Sequence, residues 1–165
     1  MSPFPDYIVL LSTRLLEACR EEGIMLATAE SCTGGLIAAA LTEIAGSSDV
    51  FDRGFVTYSN GAKMDMIGVS AETLKIYGAV SELVAREMAS GALERSRALM
   101  AVSVTGVAGP GGGSVEKPVG TVHVCVRHGN LFAHRKLELG DIGRSQIRME
   151  TVRQALKLCL STLSV

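Results

Sequence analysis

The chain has 165 residues, a formal net charge of −1 and a composition that is 47% hydrophobic but only 4% aromatic, with no Trp. That length suits one domain that buries roughly 70% of its unfolded surface, so folding needs neither disulfides nor metal. The apolar content excludes a disordered or fibrous chain, and the near-zero charge excludes a general pull toward nucleic acid or an anionic membrane.

Taken in chain order, Tyr7 to Cys19 places Leu10, Leu11, Leu15, Ala18 and Cys19 at helical spacing, closed by Gly23. Ile24 to Thr28 is short and apolar, as a buried strand should be. Gly35 to Ile44 is Ala-rich and helical, and Gly46 ends it. Phe51 to Tyr58 reads as a strand, followed by a short helix over Ala62 to Ile67. Ser70 is the expected N-cap of a helix over Ala71 to Ile76, and Ser81 caps a longer one to about Arg95. Leu99 to Thr105 is a second buried strand. Gly106 to Pro118 carries Gly106, Gly109, Gly111, Gly112 and Gly113 with Pro110 and Pro118, and must be a loop. Val119 to Arg127 alternates, His128-Gly129-Asn130 turns, and Leu131 to Leu139 completes a hairpin. Arg144 to Leu163 is an amphipathic helix carrying Ile147, Val152, Leu156 and Leu160. Helices alternating with strands, plus one hairpin, imply a single domain, a three-layer α/β/α sandwich with a mixed β-sheet.

Cys19, Cys32, Cys125 and Cys159 are dispersed, with no Cys-x-x-Cys pair. This argues against structural zinc and fits a reducing compartment. His123, His128 and His134 have no His-x-x-x-His spacing and read as sheet-face or turn residues. The start of the chain, with Pro3 and Pro5, lacks a basic stretch followed by an apolar one. No apolar run approaches the roughly 18 residues of a membrane span. The expectation is a soluble cytoplasmic protein.

Four segments carry candidate chemistry. Thr28-Ala29-Glu30-Ser31-Cys32-Thr33-Gly34-Gly35 lies where a strand runs into a helix. Such a turn displays a nucleophile or holds an anion against free helical N–H groups. Ser31 is either the nucleophile or an N-cap, and Cys32 is either a rival nucleophile or a small core residue. Val56-Thr57-Tyr58-Ser59-Asn60-Gly61-Ala62-Lys63 is a second strand-to-helix transition. Lys63 serves there as a base for Ser31 if burial lowers its pKa, or else is a solvated surface lysine. Thr105 to Gly113 follows a strand and offers backbone N–H groups to a phosphate or oxyanion, or is a flexible connector. It lacks the Gly-Lys-Ser/Thr ending of a P-loop. Arg144 and Arg148 stand one turn apart and either face a phosphate together or line a solvated face.

Ala29-Glu30-Ser31-Cys32-Thr33-Gly34-Gly35, Tyr58-Ser59-Asn60 with Lys63, and Thr105-Gly106-Val107-Ala108-Gly109-Pro110-Gly111-Gly112 resemble the signature of the CinA C-terminal domain family. Pro118-Val119-Gly120-Thr121-Val122 is similar to the strand after its glycine loop. The resemblance spans about residue 10 to residue 160. The chain departs from the family pattern at Gly140-Asp141, which Ile142 and Gly143 separate from Arg144. The family contains nicotinamide-nucleotide amidohydrolases. The resemblance therefore implies a hydrolase that converts nicotinamide mononucleotide to nicotinate mononucleotide and ammonia in pyridine nucleotide recycling.

In that reading Ser31 attacks the amide carbon and Lys63 takes its proton. The implied substrate-binding set is Glu30, Thr33, Gly34, Gly35, Tyr58, Asn60, Thr105, Gly106, Gly109, Gly111, Gly112, Arg144 and Arg148. No metal or other cofactor is called for. The alternative is a non-catalytic nucleotide-binding or regulatory domain on the same fold. The expected partners are a small nucleotide and a second copy of the chain. A homodimer is favoured because the apolar positions of the hairpin and last helix exceed one core face.

Overall fold

The computed structural model describes residues 1–163. Its first helix, α1 (Asp6–Glu22), buries Ile8, Ser12, Leu15, Leu16 and Cys19 on one face. Leu10 lies on the other side of that helix and is exposed, against expectation. Gly23 closes α1 in a left-handed conformation, φ 67°, and Ile24 N–H bonds the Cys19 carbonyl. Ile24 is thus spent on the helix cap. The first strand, β1 (Leu26–Glu30), begins two residues later than the apolar run predicts. The shift makes Glu30 the last residue of the strand and Ser31 the first residue past it.

The remaining elements are α2 (Leu36–Thr42), β2 (Phe51–Val56), α3 (Asn60–Ile67), α4 (Ala71–Tyr77), α5 (Glu82–Glu94), β3 (Met100–Gly106), β4 (Thr121–His128), β5 (Leu131–Glu138) and α6 (Arg144–Leu163). Ser70 and Ser81 cap α4 and α5 as expected, each accepting a backbone N–H on its hydroxyl. Ser59 caps α3 in the same way, accepting from Ala62 N–H at 3.0 Å. Asn60 therefore becomes the first residue of α3, two positions ahead of the predicted start.

The strand order is β2-β1-β3-β4-β5. β1 runs parallel to both neighbours, while β3, β4 and β5 pair antiparallel, so the sheet is mixed. Side chains alternate between two cores. Leu26 of β1, Met100, Val102 and Val104 of β3, and Val122, Val124 and Val126 of β4 face α1, α2 and α6. Ala27, Ala29 and Ala101 face the layer of α3, α4 and α5, with Ser103 bonding the Ala85 carbonyl of α5. This second face is built of small residues, so α5 lies close to the sheet. Gly91 of α5 sets the α3 contact: a Cβ there would stand 1.8 Å from the Ile67 carbonyl oxygen. The three-layer α/β/α sandwich is the architecture that the alternation of elements implies. The chain leaves β1 into α2 on one face of the sheet and β2 into α3 on the other. A crevice therefore opens at their C-terminal ends, where such sheets bind ligands.

Candidate active site

Three strand ends meet in that crevice. An open cavity of about 200 Å³ is lined by Ser31 and Cys32 after β1, and by Tyr58, Asn60 and Lys63 after β2. Ala79, Val80, Thr105, Gly106, Ala108 and Arg144 close the rest of it. Ser31 N–H bonds the Val104 carbonyl, which ties the Ser31 turn to the end of β3.

Lys63 is the decisive residue. It projects from α3 into the protein and is only 1% exposed. Its Nζ lies 3.0 Å from Ser31 Oγ, 3.0 Å from the Thr57 carbonyl and 3.2 Å from the Tyr58 carbonyl. Burial drives its pKa below the ordinary lysine value, because charge loses hydration there. All three oxygens are placed to accept from the amine, and on losing a proton it keeps two hydrogens for the carbonyls and gains a lone pair within reach of the Ser31 hydroxyl. The surface-lysine alternative is thereby removed. The N-cap alternative for Ser31 also fails, since its hydroxyl meets Lys63 and, at 3.4 Å, the Tyr58 carbonyl, not a helical N–H.

Cys32 lines the same cavity but is a poor nucleophile. Burial, its largest influence, pushes its thiol up to about 11, so almost none is thiolate near neutral pH.

The anion-binding helix end expected after Ser31 is already occupied. Glu30 is buried, and its carboxylate accepts from Thr33 Oγ1 at 2.6 Å, Ile37 N–H at 2.8 Å and Ala38 N–H at 3.0 Å. Alternation along β1 turns Glu30 toward α2, away from the cavity, so it is a cap of α2 and not a substrate contact. Thr33 is likewise buried against Glu30. Gly34 and Gly35 take positive φ of 57° and 101° and form the turn, without lining the cavity. Gly35, expected as the first helical residue, is instead the N-cap position.

The two arginines separate. Arg144 Nη1 donates to the Gly109 carbonyl at 2.7 Å and Nη2 to Tyr58 Oη at 3.1 Å, on the cavity wall. Arg148 turns the other way: Nε donates to the Cys32 carbonyl at 3.0 Å and Nη2 to the Thr33 carbonyl at 3.1 Å. The sequence pattern that pairs them on one phosphate is not what the structure holds. Thr105 spends its hydroxyl on the Ala79 carbonyl at 2.9 Å, fixing the segment before α5. Of the loop glycines, Gly106 lines the cavity, and Gly109 reaches it only through its carbonyl on Arg144. Gly111 and Gly112 line a separate shallow concavity with Pro110, Val115 and Val119.

Sequence reasoning missed Thr57, Ala79 and Val80. Thr57 acts through its carbonyl, which no side-chain pattern announces. Ala79 and Val80 are signalled only by the cap at Ser81 that follows them. Among the described residues, no group of three or more His, Cys, Asp or Glu is placed to hold a metal.

The chain is 51% identical over 158 residues to the nicotinamide-nucleotide amidohydrolase PncC of Escherichia coli (strain K12), covering 94% of this chain and 92% of that protein. It is 60% identical over 151 residues to a CinA-like protein of Syntrophobacter fumaroxidans, but spans only 35% of that longer protein. The crystal structure of the competence/damage inducible protein CihA from Agrobacterium tumefaciens superimposes with a TM-score of 0.96 at 58% identity, covering 100% of both chains. The profile of the CinA C-terminal domain matches residues 10–163, and the chain belongs to that family.

Proposed function

We propose that this chain hydrolyses the carboxamide of nicotinamide mononucleotide to nicotinate mononucleotide and ammonia, in pyridine nucleotide recycling. Relatives of similar length are named nicotinamide-nucleotide amidohydrolase. The observation that carries the chemistry is the buried Lys63 amine 3.0 Å from Ser31 Oγ.

Ser31 Oγ bonds to the amide carbon as its proton passes to Lys63 Nζ, and the C=O electron pair moves onto oxygen. The tetrahedral intermediate collapses by breaking the C–N bond. Lys63 returns the proton to the departing nitrogen, which leaves as ammonia. Water then attacks the acyl-enzyme as Lys63 takes one of its protons; the acyl–Oγ bond breaks, Lys63 returns that proton to Ser31 Oγ, and the acid leaves as the carboxylate with its proton passing to solvent. One residue of adjustable charge thus serves each proton transfer. Backbone donors for the oxyanion contribute a further few kcal/mol.

Arg144 and Arg148 donate only to hydroxyl or carbonyl oxygens. Their potential is therefore available to an anionic substrate. Arg144, on the cavity wall, is the proposed contact for the 5′-phosphate. All four cysteines are buried free thiols, which suits a reducing compartment, and the cytoplasm is the proposed location. No helix of the described residues is long and apolar enough to cross a membrane.

The test is ammonia release by the purified protein on nicotinamide mononucleotide, with the nucleotide product identified. Ammonia and nicotinate mononucleotide in equal amounts are expected. Binding without release supports the non-catalytic nucleotide-binding alternative and overturns the proposal.

A further inference from the structure

The nucleophile turn contains backbone donors that the fold does not use. Ser31 N–H bonds the Val104 carbonyl, Gly34 N–H the Ser31 carbonyl and Leu36 N–H the Thr33 carbonyl. The first N–H groups of α2 are also spent, Ile37 and Ala38 on Glu30 and Ala39 on the Gly35 carbonyl. Thr33 N–H has no acceptor among the described residues, and Cys32 N–H has only its own thiol sulfur, although both residues are buried. Buried backbone donors without a partner are rare and call for an explanation. An oxyanion formed on Ser31 supplies one, since the amide next along the chain from a nucleophile is a recurrent oxyanion donor.

Arg148 holds the second of these amides, that of Thr33. Its guanidinium grips the Cys32 and Thr33 carbonyls at once, and its Nη2 passes within 3.4 Å of where a Cβ on Gly34 would stand. A trans peptide aims its N–H opposite its C=O. Fixing the Cys32 carbonyl therefore fixes the direction of Thr33 N–H. Bonding a peptide carbonyl to a cation also polarises the group and strengthens its N–H as a donor. Both acceptors belong to the turn, so both nitrogens that form these bonds are engaged before substrate arrives.

We propose that Arg148 is a positioning residue for the oxyanion hole formed by the turn amides of Cys32 and Thr33, and not a phosphate ligand. The proposal rests on the Ser31 acyl-transfer reading. Arg148 stabilises the tetrahedral state on Ser31 and leaves ground-state binding of the nucleotide alone. Arg144 remains the cation on the cavity wall.

The experiment compares wild type, Arg148→Ala, Arg148→Lys, Arg144→Ala and Ser31→Ala. Three readouts are taken: turnover on nicotinamide mononucleotide and on the phosphate-free riboside, affinity for nicotinate mononucleotide, and inhibition by pyridine-3-boronic acid. The boronic acid can bond Ser31 Oγ to give a tetrahedral anion. Arg148→Ala is expected to lower kcat on both amides by about a hundredfold or more. It should weaken the boronate by a comparable factor and change product affinity by less than about threefold. Arg148→Lys, which keeps a cation with one donor head, should lie between the two and covers the case in which the alanine variant fails to fold. Arg144→Ala should weaken the mononucleotide selectively. If the Arg148 variants lose mononucleotide affinity but keep riboside turnover and boronate inhibition, Arg148 reads phosphate and the inference is overturned. If they keep full kcat, it is overturned as well. Retained activity in Ser31→Ala defeats the underlying reading instead, which separates the two failures.

Discussion

Lys63 is the residue on which the proposed chemistry turns, because a buried amine is a base only when it is neutral. Its pKa is lowered by burial from the usual 10.5, so the neutral fraction at a given pH exceeds that of an exposed lysine. Catalysis should rise with pH through that depressed value and level off above it. The sign for stability is parallel. The unfolded chain binds the Lys63 proton more tightly than the folded one, so its contribution is greatest above 10.5 and declines as pH falls toward the folded value. A plot of kcat/KM against pH should show an ascending limb centred below 10.5. Lys63→Arg should be inactive at every pH, because arginine keeps its proton. An active arginine variant, or a limb at the ordinary lysine value, contradicts the assignment. The lysine and serine were legible in the sequence as types at strand ends. Their pairing was expected too, but the geometry that delivers it was not legible, since it depends on the β1–β2 pairing that brings Thr57 N–H to the Glu30 carbonyl.

At the scale of elements, close packing of α5 on α3 overrides helix propensity. Replacing an exposed mid-helix glycine by alanine stabilises by about 1 kcal/mol. At Gly91 the added carbon would stand 1.8 Å from the Ile67 carbonyl oxygen and 2.9 Å from the Ile67 Cβ. Overpacking of this kind costs about 1–3 kcal/mol, so the net effect should be a loss. Gly91→Ala is expected to lower the midpoint of denaturant unfolding, and a raised midpoint would show that the α3–α5 contact yields. The sequence offered a glycine inside a helical pattern and no clue to its neighbour. Boundaries failed for a similar reason. The start of β1 moved because Ile24 closes α1, and the start of α2 moved because Gly35 needs φ 101°. Both errors come from main-chain hydrogen bonding at element ends, where composition says little. The caps at Ser70 and Ser81 were legible because a side chain makes them.

For the whole molecule, the layer order and mixed sheet followed from alternation of elements, the glycine loop and the hairpin. The division of labour between Arg144 and Arg148 did not. It depends on the placement of α6, which packs beside α1 and α2 and sets Arg144 on the cavity wall and Arg148, one turn later, on the Ser31 turn. The surface keeps large apolar side chains such as Leu131 and Ile142 exposed near the hairpin. A homodimer is the proposed state, and light scattering on a sizing column should give twice 17.3 kDa at micromolar concentration. A mass of 17.3 kDa overturns the dimer without touching the chemistry.

The most direct measurement is turnover of nicotinamide mononucleotide by Ser31→Ala and Cys32→Ala, with folding of each confirmed by its melting transition. The two residues are adjacent and line one cavity, but only Ser31 meets the Lys63 amine. The account predicts a loss of several orders of magnitude for Ser31→Ala and most of the activity retained by Cys32→Ala. An active serine variant beside an inactive cysteine variant would contradict it.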